Sequence, residues 1–135
     1  MLTRYKLELQ SNLNSISRIE PYVNKIVSDF GINDEIYGNI LIALTEAVNN
    51  AILHGNKEDK SKKVVIKLVS SQPKKQLVFQ ISDDGPGFNH KHLPDPTAPE
   101  NILKLGGRGV FLMRQLSDKI EFMDNGSTVQ IRFFL

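Results

Sequence analysis

The chain predicts an α+β fold, a two-layer sandwich with a mixed, mostly antiparallel sheet packed against about three helices. Three observations carry this. Short segments alternate apolar and polar residues with a period of two, and longer ones repeat apolar residues at helical spacing. The two kinds interleave as strand, helix, helix, strand, strand, helix, strand, strand, which is the order of a sheet covered by helices. Its 135 residues make room for a single domain, 1–135.

The first strand, 4–10, sets Tyr5, Leu7 and Leu9 on one face and Arg4, Lys6 and Glu8 on the other. Ile16, Ile19, Val23, Ile26, Val27 and Phe30 then recur at helical spacing. Two starts compete for this helix. Either Ser17 caps it and Glu20 completes a capping box, or Glu20 precedes Pro21 at the first helical position. Gly31 ends it. Asn33 is a plausible cap for the second helix, with Asp34 and Glu35 in the first turn, where the helix dipole favours negative charge. Tyr37, Ile40, Leu41, Leu44, Val48, Ala51 and Ile52 form its main apolar stripe. The helix runs to about Leu53, and His54-Gly55-Asn56 closes it. Runs 63–70 and 76–82 read as an antiparallel hairpin. From Asp83 to Gly107 the chain is rich in Gly, Pro, Asp and Asn, and connections of that length are usually functional. A third helix starts near Arg108, with Val110, Leu112, Met113 and Leu116 as its apolar residues. Strands 119–123 and 127–134 flank an Asp124-Asn125-Gly126 turn.

Composition excludes several classes. Hydrophobic residues at 40% argue against a disordered chain. Seventeen basic against fifteen acidic residues leave a net charge of +2, too little to argue for nucleic acid. Lys57, Lys60, Lys62 and Lys63 are interrupted by Glu58 and Asp59 and read as a solvated loop. No stretch approaches the roughly 20 apolar residues of a membrane span, and no signal peptide is visible. Cysteine is absent, which excludes a thiol nucleophile and a cysteine zinc site, and suits a cytoplasmic setting.

Three clusters bear chemistry. Glu46 and Asn50 are four apart and share one face of the second helix, opposite the main stripe. Beside them stand Ile42 and Leu53 rather than charges, so the face is either plain solvent surface or the wall of a cleft. At the second cluster, Asp83-Asp84-Gly85-Pro86-Gly87, the glycines let a strand exit turn sharply or approach a ligand, and Asp83 can accept a hydrogen bond from an amine. In the third, Gly106-Gly107-Arg108-Gly109 opens a helix whose free N–H groups and dipole favour phosphate, although such clusters also simply end loops. His90 and His92 are either a metal pair or polar loop residues. No P-loop is present.

Taken together, Glu46-x-x-Asn49-Asn50-Ala51, Asp83-x-Gly85-x-Gly87 and Gly107-x-Gly109 resemble the N, G1 and G2 boxes of the GHKL ATPases, which share the Bergerat fold. Leu44-Thr45-Glu46-Ala47-Val48-Asn49-Asn50-Ala51-Ile52-Leu53-His54-Gly55 and Gly107-Arg108-Gly109-Val110-Phe111-Leu112-Met113 look most like the small anti-sigma serine/threonine kinases. The length fits that branch better than histidine kinases, gyrase or MutL, which need further segments. The resemblance implies ATP and Mg²⁺ as cofactors. It makes Asp83 the acceptor for the adenine amine, with Gly85 and Gly87 closing over the base. Asn50 would be the Mg²⁺ ligand, and Glu46 the general base. Gly107 and Gly109 would offer N–H groups to phosphate, while Arg108 would reach the phosphates or the protein substrate, unless it is a plain surface arginine. Residues 88–105 would form a lid. The implied partners are a sigma factor and a STAS-domain anti-anti-sigma protein, and the implied assembly is a homodimer. The alternatives are a nucleotide-dependent binding module that has lost transfer, and an ATPase or kinase with a non-sigma target.

Overall fold

The structure is a computed structural model that describes residues 5–57, 59, 61–70, 76–84, 107–124 and 127–135. Strand β1 (Lys6–Gln10) leads through a 3-10 helix (Leu13–Arg18) into α1 (Ile19–Phe30) and then α2 (Asp34–Asn50). A π-helical turn, Ala51–Gly55, prolongs α2. Strands β2 (Lys63–Ser70) and β3 (Gln76–Asp83), helix α3 (Gly107–Leu116), and strands β4 (Lys119–Met123) and β5 (Thr128–Phe134) complete the order.

The sheet runs β1-β2-β3-β5-β4, and each of its ladders is antiparallel, the limiting case of the mostly antiparallel sheet expected. Register follows the alternation of the sequence. One apolar row, Leu7, Ile66, Ile81, Val129 and Phe122, crosses all five strands. A one-residue slip in any strand would turn its share of that row to the opposite face. Helix α2 buries Ile40, Ala43, Leu44, Ala47 and Val48 in the core, alongside Val23 and Ile26 of α1 and Met113 of α3. Asp34–Gly55 is, against the sequence expectation, long and apolar enough to cross a membrane by composition. Those five side chains, with Ala51 and Ile52, are the part of that segment buried in the core, 39% of its most apolar window.

The opposite sheet face mixes polar residues with Val65, Val78 and Phe134. Gln130 donates to Gln80 at 3.2 Å and Thr128 to Ser82 at 3.2 Å. On the two edge strands Lys6 pairs with Glu8 at 3.1 Å, and Lys119 with Glu121 at 2.8 Å.

Helix α1 starts by neither expected route. Its N-cap is Arg18, with no side-chain cap bond, and Pro21 falls at the third helical position. Proline is tolerated there because first-turn N–H groups lack intrahelical partners. The capping residue of this region is Asn12, whose side chain accepts from the Asn14 N–H ahead of the 3-10 helix. Gly31 ends α1 as expected, left-handed at φ 66°. The Tyr22 hydroxyl donates to the Tyr5 carbonyl at 2.7 Å and ties α1 to the start of the sheet.

Candidate functional site

Asn33 caps α2 by accepting from the Ile36 N–H at 3.0 Å, which fixes the start of the helix. From there the phase of the helix turns Glu46 and Asn50, both half-buried, away from the deeply buried row. Ile42, one turn earlier, is 45% exposed, and Leu53 is half-buried. Glu46 and Asn50 thus share a half-buried face with the exposed Ile42 and the half-buried Leu53.

Beyond Asn50 the helix widens. The Ala51 N–H is shared between the carbonyls of Ala47 and Val48, and the Asn56 N–H reaches the Ala51 carbonyl at 2.8 Å. Such π turns recur at functional sites. This one delivers Gly55 and Asn56 to the exit of β3.

Asp83 is the last residue of β3. It shares strand parity with the buried Leu77, Phe79 and Ile81, so its carboxylate lies on the helix-facing side. Gly55 abuts that carboxylate: a Cβ at position 55 would lie no more than 2.8 Å from any of the three carboxyl heavy atoms. The Asp83 N–H is held by the Ser127 carbonyl at 2.9 Å.

Asn56 clamps the same corner. It is 1% exposed. Its amide nitrogen donates to Ser11 Oγ at 2.5 Å and to the Lys63 carbonyl at 3.0 Å, and its oxygen accepts from the Asp84 N–H at 2.8 Å. The Asp84 carboxylate in turn accepts from the Lys63 N–H at 2.9 Å. One side chain therefore links the chain after β1, the start of β2 and the exit of β3.

Gly107, Arg108 and Gly109 form the first turn of α3, which packs beside α2. No acidic residue stands in that turn to compete for an anion. Gly85, Gly87, His90, His92 and the 88–105 segment lie outside the described residues. Among the described residues no three His, Cys, Asp or Glu side chains gather as a metal site.

The structure thus sets Glu46 and Asn50 on one helix face and brings the continuation of that helix against Asp83. Sequence reasoning missed Gly55 and Asn56 as parts of this corner. In the sequence His54-Gly55-Asn56 reads as a helix end, and His54-Gly55 as the close of a family-like string, without a contact to Asp83 or Asp84, because no local pattern signals contacts this distant in sequence.

A helix bearing a carboxylate and an amide, prolonged to meet an aspartate at a strand exit, on an antiparallel sheet covered by helices, defines a class. The chain belongs to the histidine kinase-like ATPase domain family, whose pattern matches residues 9–133. Within it, the chain is similar to the serine-protein kinase RsbW of Bacillus licheniformis, with 30% identity over 118 residues, covering 82% of this chain and 72% of that protein. Among solved structures it is similar to the histidine kinase domain of a blue-light activated histidine kinase from Erythrobacter litoralis, at a TM-score of 0.59 and 22% identity, over 87% of this chain and 61% of that one. The RsbU and RsbW domains of a Mycobacterium tuberculosis protein match at a TM-score of 0.57 and 14% identity, over 95% of this chain and 31% of that one. The chain spans less than two thirds of either structure, and these two likenesses concern the fold.

Proposed function

We propose that this chain is an ATP- and Mg²⁺-dependent serine/threonine protein kinase. It works in the cytoplasm as a homodimeric anti-sigma factor, sequestering a sigma factor and phosphorylating a STAS-type antagonist. The observation that carries the reading is the joining of Glu46 and Asn50 on α2 to Asp83 through the π turn. The name of the Bacillus licheniformis relative, a serine-protein kinase, supports the choice of protein substrate.

The donor set fits the nucleotide. Asp83 offers an acceptor-only carboxylate for the adenine amine. Gly85 and Gly87 follow it in the sequence, the residue type that lets a backbone approach a base closely. Asn50 offers a hard amide oxygen of the kind Mg²⁺ takes. The first turn of α3, Gly107-Arg108-Gly109, has N–H groups without intrahelical partners and a positive dipole end to offer phosphate oxygens, and Arg108 adds a positive charge to that stretch of sequence. Bound ATP supplies the transferable phosphoryl group. Glu46 takes the proton from the attacking serine or threonine hydroxyl, and its half-buried position lets a protein hydroxyl approach. Phosphoryl transfer depends chiefly on positioning and charge stabilisation, so this short set suffices.

The test is incubation with labelled ATP and each STAS protein of the same genome. Label should move to one serine or threonine of one such protein. Glu46→Gln should keep nucleotide binding while transfer falls by roughly 10²–10⁴. Unchanged transfer would show that another group is the base. Tight partner capture without any transfer would make the chain a binding module.

A further inference from the structure

Three contacts immobilise the exit of β3, and one of them bears on the Asp83 side chain itself. The Asp83 N–H is held by Ser127 and the Asp84 N–H by Asn56, so the backbone on both sides of the aspartate Cα is fixed. Gly55 occupies the space beside the Asp83 carboxylate. A Cβ on residue 55 would overlap the Asp83 Cγ and both carboxyl oxygens, all within 2.8 Å. With the strand held by those bonds, the side-chain end of Asp83 is the part of β3 that gives way most easily, which moves the carboxylate off its rotamer.

We propose that Gly55 is a positioning residue for base recognition. Its bare backbone is the seat on which the Asp83 carboxylate takes the orientation that accepts an exocyclic amine, and any side chain there abolishes preference for that amine. Gly55 acts through Asp83 rather than on the nucleotide. The inference rests on the reading of Asp83 as the base acceptor.

Equilibrium binding of two nucleotides tests it: ATP, and purine ribonucleoside triphosphate, which lacks only the exocyclic amine. Wild type should prefer ATP by about tenfold or more, the cost of leaving the carboxylate without its donor. Gly55→Ala should weaken ATP by about that factor while holding the amine-free nucleotide within about twofold, so that the preference disappears. Loss of both nucleotides in parallel, or a preserved preference, overturns the proposal. A wild type that binds both equally overturns the assignment of Asp83 itself, a distinct result.

Melting temperatures supply a second readout that survives a poorly folding variant. Asp83→Ala removes the three atoms nearest to the new methyl. Gly55→Ala should therefore lower the melting temperature of wild type strongly and that of Asp83→Ala little. Equal losses in the two backgrounds would show that the collision is not with this carboxylate, and the proposal fails.

Discussion

Replacing Asn56 by leucine keeps the bulk of the side chain and deletes its hydrogen bonding. Asn56 is 1% exposed and Ser11 is fully buried, so the hydroxyl of Ser11 loses a partner with no water at hand. An unpaired buried group costs about 1–3 kcal/mol. The Lys63 carbonyl and the Asp84 N–H, bonded at 3.0 and 2.8 Å, lie nearer the surface, and each adds about 1 kcal/mol. The sum is about 3–5 kcal/mol, a large part of the roughly 5–15 kcal/mol that holds a domain together. For a chain of this size that lowers the melting temperature by about 10–18 °C. Urea unfolding followed by circular dichroism checks it. The midpoint should fall while the slope stays constant, since the same surface is exposed on unfolding. A loss under about 1 kcal/mol would refute the reasoning, because three such bonds at a sealed corner cannot vanish so cheaply.

Two glycines should respond with opposite signs although each has open space where a methyl group would go. Gly31→Ala forces a side chain into the left-handed region at φ 66° and should destabilise by about 1–2 kcal/mol, whereas Gly38→Ala inside α2 should stabilise by about 0.4–1 kcal/mol; chemical denaturation measures both. Burial pushes the Tyr22 phenol well above its ordinary value near 10.0. Its contribution is therefore complete below pH 10.0 and is lost as pH rises through the raised folded value. Tyr22→Phe should cost about 1 kcal/mol at neutral pH, for the lost bond to the Tyr5 carbonyl, yet flatten the alkaline decline in a pH series of denaturant midpoints.

The strands were legible almost to the residue, because the alternation that marks them is imposed by the buried row crossing the sheet. The middle of each helix was legible for the same reason. Helix α1 began elsewhere than Ser17 or Glu20 suggested, since a 3-10 helix and an α-helix differ by one hydrogen-bond step, which apolar spacing barely senses. Ala43 and Ala47 fell outside the expected stripe of α2 yet are buried, because small side chains carry a weak hydropathy signal even on a closely packed face. Glu46, Asn50 and Asp83 were recognisable through their resemblance to known boxes. Asn56 was not: its partners lie 45 residues upstream and 28 downstream, and only the folded sheet brings them to one side chain.

The two edge strands, β1 and β4, each carry a Lys-x-Glu pair: Lys6 with Glu8, and Lys119 with Glu121. As exposed pairs they contribute little to folding. Their effect lies between molecules. An edge strand is an open template for strand addition by a second chain, and charges along it make such addition costly. Neutral replacements at these four positions should therefore change the melting temperature little while lowering the concentration at which the protein stays in solution, which turbidity against protein concentration measures.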